Sequence, residues 1–228
     1  MQPFVPKPAS ASSPPADAGL SVDIRLLAAD ELRTATAILA NGMRDNPVHV
    51  QAFGTRPQHR QRRLHRFLGH LVAYIRSHGS LLGAFVDGEL VGVLGMLEPG
   101  HCRPRWWEAL GFAGVIALSN PPAGVWRIRR WLATWTRNDP PEPHWHIGPL
   151  VVVPACRRRG VGRRLLLRCC RQLDALGASA WLETDLAINV AFYQTLGFVV
   201  TRHEPVLGVA NWFMRRAHQQ ASEPIRPA

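Results

Sequence analysis

Several absences narrow what this chain can be. Lysine is nearly missing, since Lys7 is the only one among 27 basic residues. Acidic residues are also few, 16 in all, which leaves a formal net charge of +11. The arginines are scattered, and Ala, Pro and Gly are abundant beside them, which points to a codon bias rather than to a binding surface. No nucleic-acid-binding motif or basic-aromatic array accompanies the charge, so nucleic acid is not an expected partner. The cysteines number four: Cys102, Cys156, Cys169 and Cys170. They form no Cys-x-x-Cys and no Cys/His ligand spacing, which indicates neither a metal site nor a disulfide framework. No apolar run approaches the ~18 residues of a membrane span, so no membrane partner is expected. The N-terminus lacks a basic-then-apolar signal pattern, and the expected location is the cytoplasm. The two common nucleotide loops, Gly-x-Gly-x-x-Gly and Gly-x-x-x-x-Gly-Lys-Ser/Thr, are missing as well.

What is present is enough apolar residue, 46% of 228, for one globular domain with a sizeable core. The expected layout is a Pro/Ala-rich disordered tail at 1–20, a single domain at 21–217 and a flexible tail at 218–228. Val22, Ile24 and Leu26 alternate as a first strand would. Asp30 can cap a helix that runs to about Ala40, where Asn41-Gly42 stops it. Asn46-Pro47 marks a break. From Gln58 to Ser77 the apolar residues Leu64, Phe67, Leu68, Leu71 and Ile75 share one helical face. Leu81–Val86 and Leu90–Leu97 flank Asp87-Gly88, a strong hairpin signal. Residues 98–143 hold five of the eight tryptophans and read as two helices split at Asn120-Pro121-Pro122. Asp139-Pro140-Pro141-Glu142-Pro143 reads as a rigid linker into the next strand.

The chain is organised around the segment from Trp145 to Phe198. An apolar run, Ile147 to Val153, ends at Pro154, which cannot donate to a sheet ladder. A short basic loop leads to Gly160-Val161-Gly162, and Leu165, Leu166, Cys169, Leu173 and Leu176 follow at helical spacing up to Gly177. Strand, basic glycine loop and helix make an anion-binding layout, because the first turn of a helix presents unpaired N–H groups and partial positive charge. Downstream, Trp181-Leu182-Glu183-Thr184 reads as a strand before Asn189-Val190-Ala191-Phe192-Tyr193-Gln194-Thr195-Leu196-Gly197-Phe198.

Arg157-Arg158-Arg159-Gly160-Val161-Gly162 resembles the pyrophosphate loop of the GCN5-related N-acetyltransferases, the GNAT superfamily, with its Gln/Arg-x-x-Gly-x-Gly/Ala pattern. The Asn-x-x-Phe-Tyr-x-x-x-Gly-Phe block is the superfamily's other hallmark. Within it, the Leu-Glu-Thr strand, the Asn-x-x-Phe-Tyr helix and the late Trp-x-Met-x-Arg strand (Trp212 to Arg216) are most similar to the puromycin-type acetyltransferases. The resemblance implies an α/β (α+β) fold: a mixed, mostly antiparallel twisted sheet of six to seven strands flanked by helices, with the 98–143 insertion between strands three and four.

It also implies acetyl-CoA as cofactor and direct acetyl transfer to an amine in a ternary complex. Leu150, Val151 and Val152 would pair with the pantetheine arm, and the Val151 backbone N–H would be the oxyanion donor. The loop Arg157, Arg158, Arg159, Gly160, Val161, Gly162 and Arg163 would hold the pyrophosphate, and Asn189 and Tyr193 would contact the cofactor. Tyr193 would be the general acid, being protonated at neutral pH. The superfamily has no fixed base. His144 and His146 lie two apart on one strand, and His146 is the residue taken as base. Glu142, His144, Glu183, Trp107 and Trp131 are taken to bind the acceptor, and Met43, Asp45, His49 and Phe53 to border its pocket. The expected acceptor is a small amine, aromatic or aminonucleoside-like. A protein or peptide acetyltransferase and a non-catalytic acyl-CoA-binding module stay open, and a homodimer is one option for the assembly.

Overall fold

The computed structural model describes residues 20–218, so both expected tails lie outside it apart from Leu20 and His218. Seven strands form one sheet in the order β1-β2-β3-β4-β5-β7-β6. They are β1 (Asp23–Leu26), β2 (Gly79–Val86), β3 (Glu89–Leu97), β4 (Trp145–Val152), β5 (Ala180–Thr184), β6 (Val199–His203) and β7 (Trp212–Arg216). Every neighbouring pair is antiparallel except β4 and β5, which are parallel. The helices are α1 (Leu32–Met43), α2 (Pro47–Phe53), α3 (Pro57–His78), α4 (Trp106–Ser119), α5 (Pro122–Asn138), α6 (Val161–Ala175) and α7 (Ala187–Gln194). The insertion therefore sits between β3 and β4, as the resemblance implies.

Alternation along the strands divides the core into two layers, because successive side chains point to opposite faces. On β3, Val93 and Leu97 join Leu39, Phe53, Leu64, Ile75, Ile128 and Trp131 on the face covered by α1, α2, α3 and α5. Leu94 and Met96 join Leu165, Leu166, Leu173 and Phe198 on the face covered by α6 and α7. The β2–β3 turn has Asp87 at φ 50 and Gly88 at φ 81, the left-handed pair that a two-residue hairpin requires. Far along the sheet, buried Arg216 clamps β7 to α6. Its guanidinium meets both Asp174 oxygens at 2.7 Å, and its Nε donates to the Leu196 carbonyl at 2.9 Å.

Two local expectations need correction. Asn41-Gly42 does not stop the first helix, since α1 runs on to Met43. Gly42 is there because α1 crosses β4: a Cβ at this position would lie 2.2 Å from Val151 Cγ1. Asn46-Pro47 opens a helix as well as breaking the chain, with Asn46 as cap and Pro47 in the first turn of α2, where its missing N–H costs nothing.

Two glycine substitutions should therefore act in opposite directions. Gly42→Ala forces α1 away from β4 and should cost about 1–3 kcal/mol. Gly69→Ala, inside α3 with its nearest neighbour atom at an ordinary 3.6 Å, should stabilise by about 0.5–1 kcal/mol. Urea denaturation of both variants beside the native chain measures this.

Candidate active site

The site begins where β4 and β5 separate. They pair only at Trp145↔Ala180 and His146↔Trp181. Beyond His146, β5 continues paired with β7, and among the described residues no strand pairs with the β5-facing edge of β4. The other edge of β4 pairs with β3 through Gly92↔Val152, Val93↔Val151 and Leu94↔Leu150. Val153 N–H donates to the Val91 carbonyl at 2.9 Å. Bonded and non-bonded pairs alternate in an antiparallel ladder, so Val151 also turns its N–H toward β3, and Leu150 and Val152 turn theirs into the gap. Val151, the expected oxyanion donor, is thus committed to the ladder. The Val152 carbonyl accepts from Arg157 Nε at 3.1 Å. One extra β4 residue at Gly148-Pro149 bulges the strand between Ile147 and Leu150.

At the C-terminal end of β4 the chain turns through Pro154–Cys156 into the basic loop. Arg158 at φ 56 and Gly160 at φ 80 turn the chain into α6, whose first turn has no side-chain cap. A Cβ on Gly160 would touch nothing within 4 Å, so glycine is needed there for its conformation rather than for space. Arg157, Arg158, Arg159 and Arg163 are exposed around this turn, and Arg163 Nη1 donates to Thr195 Oγ1 at 3.3 Å. The loop offers backbone donors, helix dipole and guanidinium charge to one anion.

On the β5 side, α7 carries Asn189 and Tyr193 to the gap. Asn189 Nδ2 donates to Thr184 Oγ1 at 3.3 Å. Burial, with the charge of Asp185, pushes the Tyr193 phenol up to about 12, so it is a proton donor at any ordinary pH. Asp185 also accepts from the Val48 N–H at 2.8 Å, which ties α2 to the end of β5.

These groups open into one cavity of ≈ 830 Å³. Its lining includes Leu150, Asn189 and Tyr193 from the gap, Phe67, Tyr74 and Phe112, and the α5 residues Trp131 and Trp135. Trp131 is 2% exposed and packs edge-on against His49, Phe53 and Trp135. The indole N–H groups of Trp131 and Trp135 are buried with no hydrogen-bond partner among the described residues. Met43 and His49 line the cavity, Phe53 packs against Trp131 without lining it, and Asp45 is exposed outside it, paired with Arg44 and Arg60. Trp107 is half exposed and outside it. Glu142 is exposed too, and only its carbonyl is used, accepting from His144 Nδ1 at 2.8 Å. These two positions do not touch the acceptor space, because α4 turns Trp107 outward and the linker turns Glu142 to solvent, and His144 does not line it either, being buried with Nε2 against Cys102 and Asp139.

Part of the cavity wall is polar. His146 Nε2 lies 3.1 Å from Glu183 Oε2, and Glu183 Oε1 accepts from Trp181 Nε1 at 2.8 Å. Burial opposes charge on His146, but Glu183 and Cys102 outweigh it and raise the imidazole well above its usual value. Glu183 thus engages Nε2 and leaves Nδ1 as the ring nitrogen without that partner. Burial also opposes charge on His144, yet Asp139 and Cys102 raise it to about 10. The Cys102 thiol is raised by burial but lowered overall by the two imidazoles. Asp185, Cys102, Asp139, Tyr74 and Trp135 are wall residues that carried no local signal strong enough to single out from the sequence.

A sequence model of the acetyltransferase (GNAT) family matches residues 45–198. Solved structures agree in fold. A Corynebacterium glutamicum protein described as histone acetyltransferase HPA2 and related acetyltransferase superposes with a TM-score of 0.68 at 17% identity, covering 89% of this chain and 99% of that one. The polyamine N-acetyltransferase of Drosophila melanogaster, which forms N-acetylagmatine, gives 0.56 at 14% over 86% and 100%. The PaiA N-acetyltransferase of Thermoplasma acidophilum, solved with coenzyme A, gives 0.53 at 13% over 87% and 99%. With its split β4/β5 edge and glycine loop, the chain belongs to the GNAT acetyltransferase family and uses acetyl-CoA.

Gly160→Val places a β-branched residue in the left-handed region, at a cost of about 1–2 kcal/mol, and tilts the loop donors. Coenzyme A affinity, by calorimetry, should fall about tenfold or more, with the fold retained by circular dichroism.

Proposed function

We propose that this chain transfers the acetyl group of acetyl-CoA to the primary amine of a small, bulky or aromatic molecule, by direct attack in a ternary complex. One observation supports the reading: one mainly apolar cavity is lined both by Leu150 and Tyr193 and by the α5 residues Trp131 and Trp135. Such a space excludes water from a thioester and suits an apolar body bearing one amine. The unpaired indole N–H groups of Trp131 and Trp135 give that body two donors to meet, which fits a ring with carbonyl or ether acceptors. An aminonucleoside-like acceptor is in keeping with the puromycin-type layout. Four free cysteines suit a reducing compartment, in line with a cytoplasmic enzyme.

In this reading the pyrophosphate lies on the 157–163 loop, and the pantetheine arm completes the open edge of β4. The amine nitrogen attacks the thioester carbonyl. The oxyanion is met by the Leu150 N–H, which takes the role expected of Val151 because it faces the gap. The C–S bond breaks, and Tyr193 gives its proton to the departing thiolate. Asp185, which lines the cavity with Asn189 and Tyr193, receives the proton lost by the amine, through water, rather than His146, whose Nε2 is engaged by Glu183. A peptide acceptor is less favoured, since α4 and α5 cover the space that an extended chain would cross.

Thiol release from acetyl-CoA against puromycin, arylalkylamines, polyamines and short peptides tests this. Tyr193→Phe should lower kcat about 10²-fold with KM for acetyl-CoA unchanged. Release that is fastest with peptides would sink the small-amine reading. Trp131→Phe keeps the ring and removes the donor, so KM for the preferred acceptor should rise about fivefold. An unchanged KM would mean that the indole N–H does not meet the acceptor.

A further inference from the structure

Four side chains from separate segments converge where the insertion meets the sheet. Cys102 comes from the loop ahead of α4, and Asp139 directly follows α5. His144 leads into β4 and His146 is its second residue. One donor atom from each, four in all, lie within 4.8 Å of one another. His144 Nε2 is 3.3 Å from Cys102 Sγ and 3.1 Å from Asp139 Oδ1. Around a tetrahedral zinc, with Zn–S near 2.3 Å and Zn–N or Zn–O near 2.1 Å, neighbouring donors stand about 3.3–3.6 Å apart. The cluster is already close to that spacing.

We infer that Cys102, Asp139, His144 and His146 form a zinc site that fastens both ends of the helical insertion to the start of β4. The donor set selects the metal class. A thiolate and two imidazoles favour zinc and disfavour magnesium and calcium, which take oxygen. One thiolate and one carboxylate with two neutral imidazoles also balance a divalent cation, so the half-buried site carries no net charge.

The second observation lies in the surroundings, because metal-binding imidazoles have their other nitrogen held. His144 gives Nδ1 to the Glu142 carbonyl at 2.8 Å, which leaves Nε2 facing Cys102 and Asp139. His146 has Nε2 engaged by Glu183, so the donor it offers is Nδ1. Glu183 is fixed in turn by the Trp181 indole at 2.8 Å. Arg103 Nε sits 3.5 Å from Asp139 Oδ2, leaving Oδ1 toward His144. Every proposed ligand except the cysteine thus has an outer partner on the atom it does not give to the metal. The competing arrangement is a metal-free network in which thiolate, imidazoles and carboxylate only hydrogen-bond one another.

The site goes beyond the transferase reading and stands without it, since it needs no acceptor and no turnover. The full-length chain, stripped with a chelator, is titrated with cobalt(II) and with zinc. One equivalent of cobalt should give a thiolate-to-metal charge-transfer band and the intense visible bands of four-coordination. Zinc should displace it and raise the thermal midpoint of the stripped protein, as a ligand of the native state must, while magnesium leaves the midpoint in place. Cys102→Ser should abolish the charge-transfer band, and Cys156→Ser should keep it. Glu183→Gln should weaken zinc binding about 10- to 100-fold. No charge-transfer band and no zinc-dependent shift in the native chain would overturn the site, whatever the variants do. A band that survives Cys102→Ser would overturn the assignment of its ligands.

Discussion

The backbone of β4 between Gly148 and Val152 has to find partners on both edges, and the fold supplies them on only one. A strand's N–H and C=O groups cannot stay buried and unpaired without a cost comparable to a lost hydrogen bond. β5 meets β4 at two residue pairs and then spends all five of its residues on β7. The amide-bearing arm of coenzyme A has the shape and the groups to complete that edge. Much of the remaining structure keeps the edge open and in place. The bulge at Gly148-Pro149 tilts the strand, and Gly95 lets it do so, because a Cβ there would lie 2.6 Å from the Gly148 carbonyl oxygen. Gly42 lets α1 lie directly on Val151 from the other side.

The two ends of the cavity differ in what they are built from. Near the gap the polar groups are mainly backbone N–H groups and the Tyr193 phenol, so their positions follow from strand register and the start of a helix. Under the insertion they are side chains: indoles, a His–Glu pair and the cluster around Cys102. The first end is compatible with nearly any side chains that keep the strand, the loop and α6. Conserved fold at 13–17% identity among the solved relatives is the outcome that such a division allows. Acceptor chemistry belongs to the second end, and fold alone does not transfer it.

α5 shows how the insertion serves the core and the cavity at once. Its face with Ile128 and Trp131 is buried against α2 and α3, and Trp135 follows one turn on at the cavity wall. Trp126 and Trp107, equally prominent in the sequence, are 58% and 50% exposed. Tryptophan count alone could not separate wall from surface. That choice depends on how α4 and α5 rotate against α3, where Phe112 meets His70 and Tyr74 edge-on.

By itself the sequence determined the order of elements, the hairpin at Asp87-Gly88, the glycine loop into α6, and the placing of Tyr193 and Asn189 on one short helix. These are local: alternation, helical spacing and turn chemistry are read within a dozen residues. It also placed the insertion correctly, since Pro-rich breaks bound it. Only the tertiary structure decided which β4 amide faces the gap, because that depends on the β3 register and a one-residue bulge. Only it set Gly42 within a helix instead of after one, for the reason that a distant valine occupies the space. Only it brought Cys102, Asp139, His144 and His146 together, across up to 44 positions of chain by the difference of their numbers. Groups so far apart in sequence share no spacing that a motif could carry, and their meeting is a consequence of packing two helices back onto the start of a strand.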